Sequence, residues 1–238
     1  MLAAYARFEL RLLLRNPEQL LLVLAIPMGM LLFFATVDVL PEPSSLEYLT
    51  PGILALAILS STMTGLGIAT GFQRSSLALK RIGATPLGSR RLVLGKSIAT
   101  GTVVALQVSV LGGVGFALGW RPELRGIPAA IAAAALGGLA CAGIGLSLAG
   151  RLRAEITLAA LNALYLVLLL ASGFILDTVH LPAAVSTIVT LSPATAMTEA
   201  LRDSLSGASV HVRDWIVLAV WAAAAPLVAA RTFRWDAE

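Results

Sequence analysis

Six times along the chain the polar positions give way to an apolar run: 20–37, 53–72, 92–118, 127–148, 156–176 and 215–230. A bilayer core takes about 20 apolar residues per helix, so each run predicts a span. The runs are continuous rather than alternating. That pattern excludes a barrel and leaves the α-helix, which satisfies its own backbone in lipid. The third run is long enough to tilt or to project beyond the membrane. The sixth is short and carries Pro226, a predicted kink. Trp120, Trp215, Trp235 and Tyr48 fall at predicted span ends, where amphipathic rings favour the headgroup zone. The expected fold is an all-α integral membrane protein of six transmembrane helices, residues 1–238 forming a single transmembrane domain.

Three further segments break the pattern. In 1–16, Arg7, Arg11 and Arg15 recur every fourth residue, a cationic stripe on a helix otherwise rich in leucine, and this predicts an amphipathic interfacial helix at lipid headgroups. In 75–86, Ser75 or Ser76 is a candidate N-cap, Gly83 a candidate stop and Pro86 a block to continuation. The helix between them has about two turns and needs a surface to dock on. In 177–206, the apolar stretch 181–191 is too short to span, Ser192-Pro193 interrupts it, and 194–205 predicts a second short helix. Together they predict an extracellular re-entrant helical hairpin before the last span.

Composition sharpens the picture. Of 238 residues 58% are apolar and 13% charged, with a mean hydropathy of +0.89. Soluble chains are about a quarter charged, so this one cannot cover itself in water. The charge of +4 follows the membrane and does not imply nucleic-acid binding. Arg7, Arg11, Arg15, Arg74, Lys80, Arg81, Arg90, Arg91, Lys96, Arg151, Arg153, Arg231 and Arg234 fall on one side. Only Arg121, Arg125, Arg202 and Arg213 fall on the other. The cation-rich side is expected to be cytoplasmic, with both termini there. No leading signal peptide is evident.

Candidate chemistry is sparse. Gly95-Lys96-Ser97 ends like a phosphate-binding loop, but the position five before Gly95 holds Arg90 where that loop needs glycine. The longest polar loop, about 20 residues between the second and third runs, is far too short for a catalytic domain. Cys141 lies alone in an apolar run, and His180 and His211 have no ligand-like neighbours in sequence, so no metal site is expected. The span interiors hold no Asp, Glu or Arg; Gln107 and Asn162 are the conspicuous amides, and Lys96 is expected to snorkel to the interface. Ion-coupled transporters, voltage sensors and intramembrane enzymes need ionisable groups at depth. Gly67-x-x-x-Gly71 and Gly115-x-x-x-Gly119 predict close helix packing within the chain.

The stretches "YLTPGILAL" (48–56), "LKRIGATPLGSRRLVLGK" (79–96), "SGFILDTVHLP" and "LSPATAMTEALRDSL" resemble those of an ABC-2 type transporter permease, the small six-span subunit of bacterial exporters, in its drug- and antibiotic-exporter branch. The resemblance covers essentially the whole chain. It implies two permease copies, as a homodimer, with two copies of a separate ABC-type ATP-binding subunit in the bacterial cell membrane. This chain would bind no cofactor and have no enzymatic activity, with ATP and Mg on the partner. The ATPase-coupling segment would comprise Ser76, Leu77, Leu79, Lys80, Arg81, Ile82, Gly83, Ala84, Thr85 and Pro86, flanked by the interfacial helix. The external gate would include Phe174, Pro182, Pro193 and Arg202.

The expected function is outward movement of an amphipathic drug, antibiotic or lipid-like molecule, with Gln107 and Asn162 along the substrate pathway and lipid around the spans. A polysaccharide or lipid-linked glycan exporter is the second reading, disfavoured because sugar rings stack on aromatics, here only 6%. A non-transporting scaffold or toxin-immunity protein is the third.

Overall fold

The computed structural model describes residues 2–15, 17–37, 46–83, 88–171 and 189–235. Among these the ordered elements are helical. They are α1 (Leu2–Leu14), α2 (Pro17–Thr36), α3 (Leu46–Ser75), α4 (Ala78–Gly83), α5 (Gly88–Ala117), α6 (Ile127–Ala149), α7 (Ala154–Ala171), α8 (Pro193–Ser206) and α9 (Val212–Thr232). Among the described residues, four stretches are long and apolar enough to cross a membrane: Leu46–Ser75, Gly88–Ala117, Leu124–Ala149 and Val212–Thr232. Leu24–Thr36 and Ala154–Leu170 are shorter apolar helices. The protein is an all-helical membrane protein.

Local sequence explains the boundaries. α2 opens on Pro17, whose missing N–H falls where a helix has no acceptor for it. Ser192 caps α8 by accepting from the Thr195 amide at 3.1 Å. Gly207 ends the same helix in the left-handed region, at φ +71°, which a side chain would disfavour. α9 runs through Pro226 without ending; α6 presents Gly143 to the backbone of Ala225 and Pro226.

α3 is the central helix. Its residues from Leu49 to Leu59 are all buried. Over the next six residues, Ser60–Gly65, the winding widens to a π-helix before regular winding resumes. Gly145 of α6 faces the backbone carbonyl of Met63 there, so the two helices touch main chain to main chain. Gly67 packs against Leu161 and Gly145, and Gly71 against Thr157. The Gly67–Gly71 pair thus serves packing within the chain.

The short helix differs from its prediction over 75–86. It runs from Ala78 to Gly83, and neither serine caps it. The hydroxyls of Ser75 and Ser76 donate backwards, to the Phe72 and Gln73 carbonyls at 2.9 and 3.1 Å, closing the end of α3 instead. Leu77 makes the turn at φ +60°. Ala84, Thr85 and Pro86 lie outside the described residues, as does 177–188, the first half of the expected external hairpin.

Candidate functional site

One cluster of buried polar groups lies where α1 packs on α5 beside α3. α1 exposes Arg7 and Arg11, with Arg15 exposed just past its end, and buries Tyr5, Ala6 and Glu9 on its other face. Tyr5 lies against Gly95, where the missing Cβ leaves room for the ring. Its hydroxyl donates to Glu9 Oε1 at 2.5 Å. Burial, reinforced by the Glu9 charge, pushes that phenol well above its ordinary range.

Glu9 in turn meets Lys96, with Nζ at 3.0 Å from Oε1. The same ammonium donates to Gln73 Oε1 at 2.6 Å. The snorkelling expected of Lys96 does not occur: the residue is 1% exposed. A carboxylate and an amide lie within reach, so pairing replaces hydration. Gly95-Lys96-Ser97 lies within continuous helix rather than in a phosphate-cradling loop.

A cavity of about 50 Å³ adjoins this junction, lined on its polar side by Glu9, Ser61, Gln73, Lys96 and Thr100. Each helix supplies one stripe: Glu9 and Leu13 from α1, Ser61, Gly65, Ala69 and Gln73 from α3, Lys96, Thr100 and Val103 from α5. A space of that size holds a few water molecules.

Beyond the cavity the Ser61 hydroxyl donates to Gln107 Oε1 at 2.8 Å. Gln107 is buried, whereas Asn162 lies exposed on α7, so the structure does not bring the two amides together.

At the same end of the bundle α4 is held by Leu79, fully buried beside Tyr5, Leu92 and Val93. Lys80 and Arg81 are exposed, and Ile82 is half-buried. Arg74, at the close of α3, is buried and donates to the carbonyls of Ala149 and Leu152 at 2.7 and 2.9 Å. It thereby satisfies orphan acceptors after α6, as a cation at a helix C-terminus should.

At the far end, Pro193 and Arg202 are buried in or beside α8; Phe174 and Pro182 lie outside the described residues. The Arg202 guanidinium sits 3.7 Å from the centre of the Tyr48 ring and reaches Glu199 at 2.9 Å. Burial raises the Glu199 carboxyl, with Arg202 opposing. His211, expected to be isolated, pairs with Asp203 at 2.7 Å, and Asp214 lies in the same group. The turn between α8 and α9 creates this proximity. Arg213 engages Asp214 at 3.1 Å, so both carboxylates already have partners.

Tyr5, Glu9, Ser61 and Gln73 had no site role in the sequence reading, and Arg74 only a place on the cation-rich side. A signal existed for Glu9: it lies two residues from Arg7 and Arg11, hence on the face opposite the arginine stripe.

The family model described as ABC-2 type transporter matches residues 2–205. No curated protein matches the sequence.

Proposed function

The chain belongs to the ABC-2 type transporter family, and from that premise we propose that it is the permease subunit of an ATP-driven exporter, worked by a separate ABC-type ATPase. The observation that carries this reading is the family match over residues 2–205, which takes in α1, α4 and the buried junction between them.

In this reading α4 is the lever. Leu79 anchors it to the bundle while Lys80 and Arg81 face outward, where an acidic cleft of a partner could receive them. The end bearing α1 and α4 is cytoplasmic, by the arginine and lysine distribution. The apolar helices form the wall of a conduit between two copies in the bacterial cell membrane. The cargo is amphipathic and outward-moving, because such walls offer apolar contact with few fixed charges.

The test is co-expression with candidate ATPases and measurement of vanadate-sensitive hydrolysis together with cargo movement in membranes. Hydrolysis and movement are expected only with both subunits. Lys80→Glu with Arg81→Glu is expected to uncouple them while insertion persists. Cargo movement driven by ATP without a partner subunit would overturn the reading.

A further inference from the structure

We propose that Lys96 is a positioning residue, the joint through which α1 and α4 are tied to the Ser61–Gln107 pair deeper in the bundle. This inference rests on the permease reading for its purpose, though its geometry stands apart from it.

The ammonium is held from two sides. Glu9 binds it from α1 at 3.0 Å, and Gln73 accepts from it at 2.6 Å. Gln73 occupies the last turn of α3, four residues before the Leu77 turn that launches α4. A displacement of either α1 or α4 therefore reaches α5 at one atom. Along α5 from Lys96 come Thr100 and then Gln107, about three turns away on the same side of the helix. There Ser61 binds Gln107 at the start of the π-wound segment. Two polar contacts between α3 and α5 thus bracket the cavity.

Apolar side chains would hold α1 in place as well. Exchanging a buried ion pair for well-packed apolar groups is often neutral or stabilising. What a polar joint adds is two discrete arrangements. With Lys96 released from Glu9, the adjoining cavity offers the hydroxyl of Thr100, one turn further along α5, as an alternative partner. Apolar packing has no such second seat. The π-wound segment, whose hydrogen bonds depart from regular helix, is the element able to absorb the change.

The experiment uses the full-length chain in lipid vesicles with Ser61→Cys as the reference protein. The native thiol at Cys141, fully buried, reports general loosening. Adding Lys96→Met is expected to raise maleimide labelling at position 61 about tenfold, as a local opening, with Cys141 still protected. The double exchange Glu9→Leu with Lys96→Met, which leaves no charge unpaired, is expected to do the same without lowering the melting temperature. Lys96→Arg is expected to restore most of the protection. Labelling unchanged at position 61 in the double variant would overturn the proposal, as would a parallel rise at Cys141. These measurements require neither ATP nor partner, so they succeed or fail separately from the exporter reading. With the cognate ATPase present, the double variant should bind it normally yet move at least about tenfold less cargo per ATP. An unchanged ratio would also overturn the proposal.

Discussion

The guanidinium carbon of Arg202 lies over the ring of Tyr48, 3.7 Å from its centre, joining α8 to the first turn of α3 across 154 positions of sequence. Both groups are largely withdrawn from solvent, a setting in which a cation over an aromatic face contributes about 2 kcal/mol. Tyr48→Phe keeps the face and is expected to melt above Tyr48→Leu. Tyr48→Leu removes it and is expected to cost about 1–2 kcal/mol, read as a lower thermal midpoint in detergent.

Ser61 and Gln107 make a second contact that can be dissected. Gln107→Leu leaves a buried hydroxyl without its acceptor and is expected to cost about 1–3 kcal/mol. Adding Ser61→Ala should recover part of that loss, since the hydroxyl left without an acceptor is then gone as well. A double-mutant cycle on thermal stability reads the coupling. Asn162→Ala, on an exposed face, is expected to leave stability unchanged.

Backbone contact between α3 and α6 makes Gly145 intolerant of a side chain. A Cβ there would meet the main chain of Met63, which cannot swing aside. Gly145→Ala is therefore expected to cost about 1–3 kcal/mol or more by overpacking. Gly113→Ala is the control. Nothing lies within 4 Å of its added methyl, so gaining helix propensity should stabilise the chain slightly.

The His211–Asp203 pair gives a pH dependence with a defined sign. The hydrogen bond to Asp203 and its charge raise the imidazole above its ordinary value of 6.5, assisted by Asp214 and opposed by Arg213. Protonated histidine is thus favoured in the folded state. The stabilisation is fully present below pH 6.5 and is lost as pH rises through the raised value. Glu199, also raised, leans the same way in a more acidic window. Amide exchange of residues 207–211 should accelerate from pH 6 to 9 beyond the intrinsic rate increase, and His211→Gln should remove that excess.

Helix formation was legible in sequence because lipid leaves backbone groups no partner outside the helix, so hydropathy alone locates the apolar runs. α8 was legible to within a residue at each end, because Ser192-Pro193 interrupts the apolar stretch before it; the Ser192 cap and the Gly207 stop were not read. The joint at Lys96 was not. Its members stand at positions 9, 73 and 96, and nothing local distinguishes a lysine that snorkels from one that finds a carboxylate 87 residues away. The short helix α4 was located but overextended, because serine hydroxyls serve the end of one helix as readily as the start of the next. The π-wound segment has no sequence signature in "SSTMTG".

That segment carries an implication for how this chain can change over generations. Each residue of a regular helix advances the direction of its side chain by about 100°. Deleting one residue among 66–72 would therefore rotate everything after it, turning Gln73 away from Lys96 and Arg74 away from the carbonyls it caps. Within 60–65 the wider winding can take up a deletion by tightening to regular helix, so α3 has one place where its length can change without moving its distant contacts.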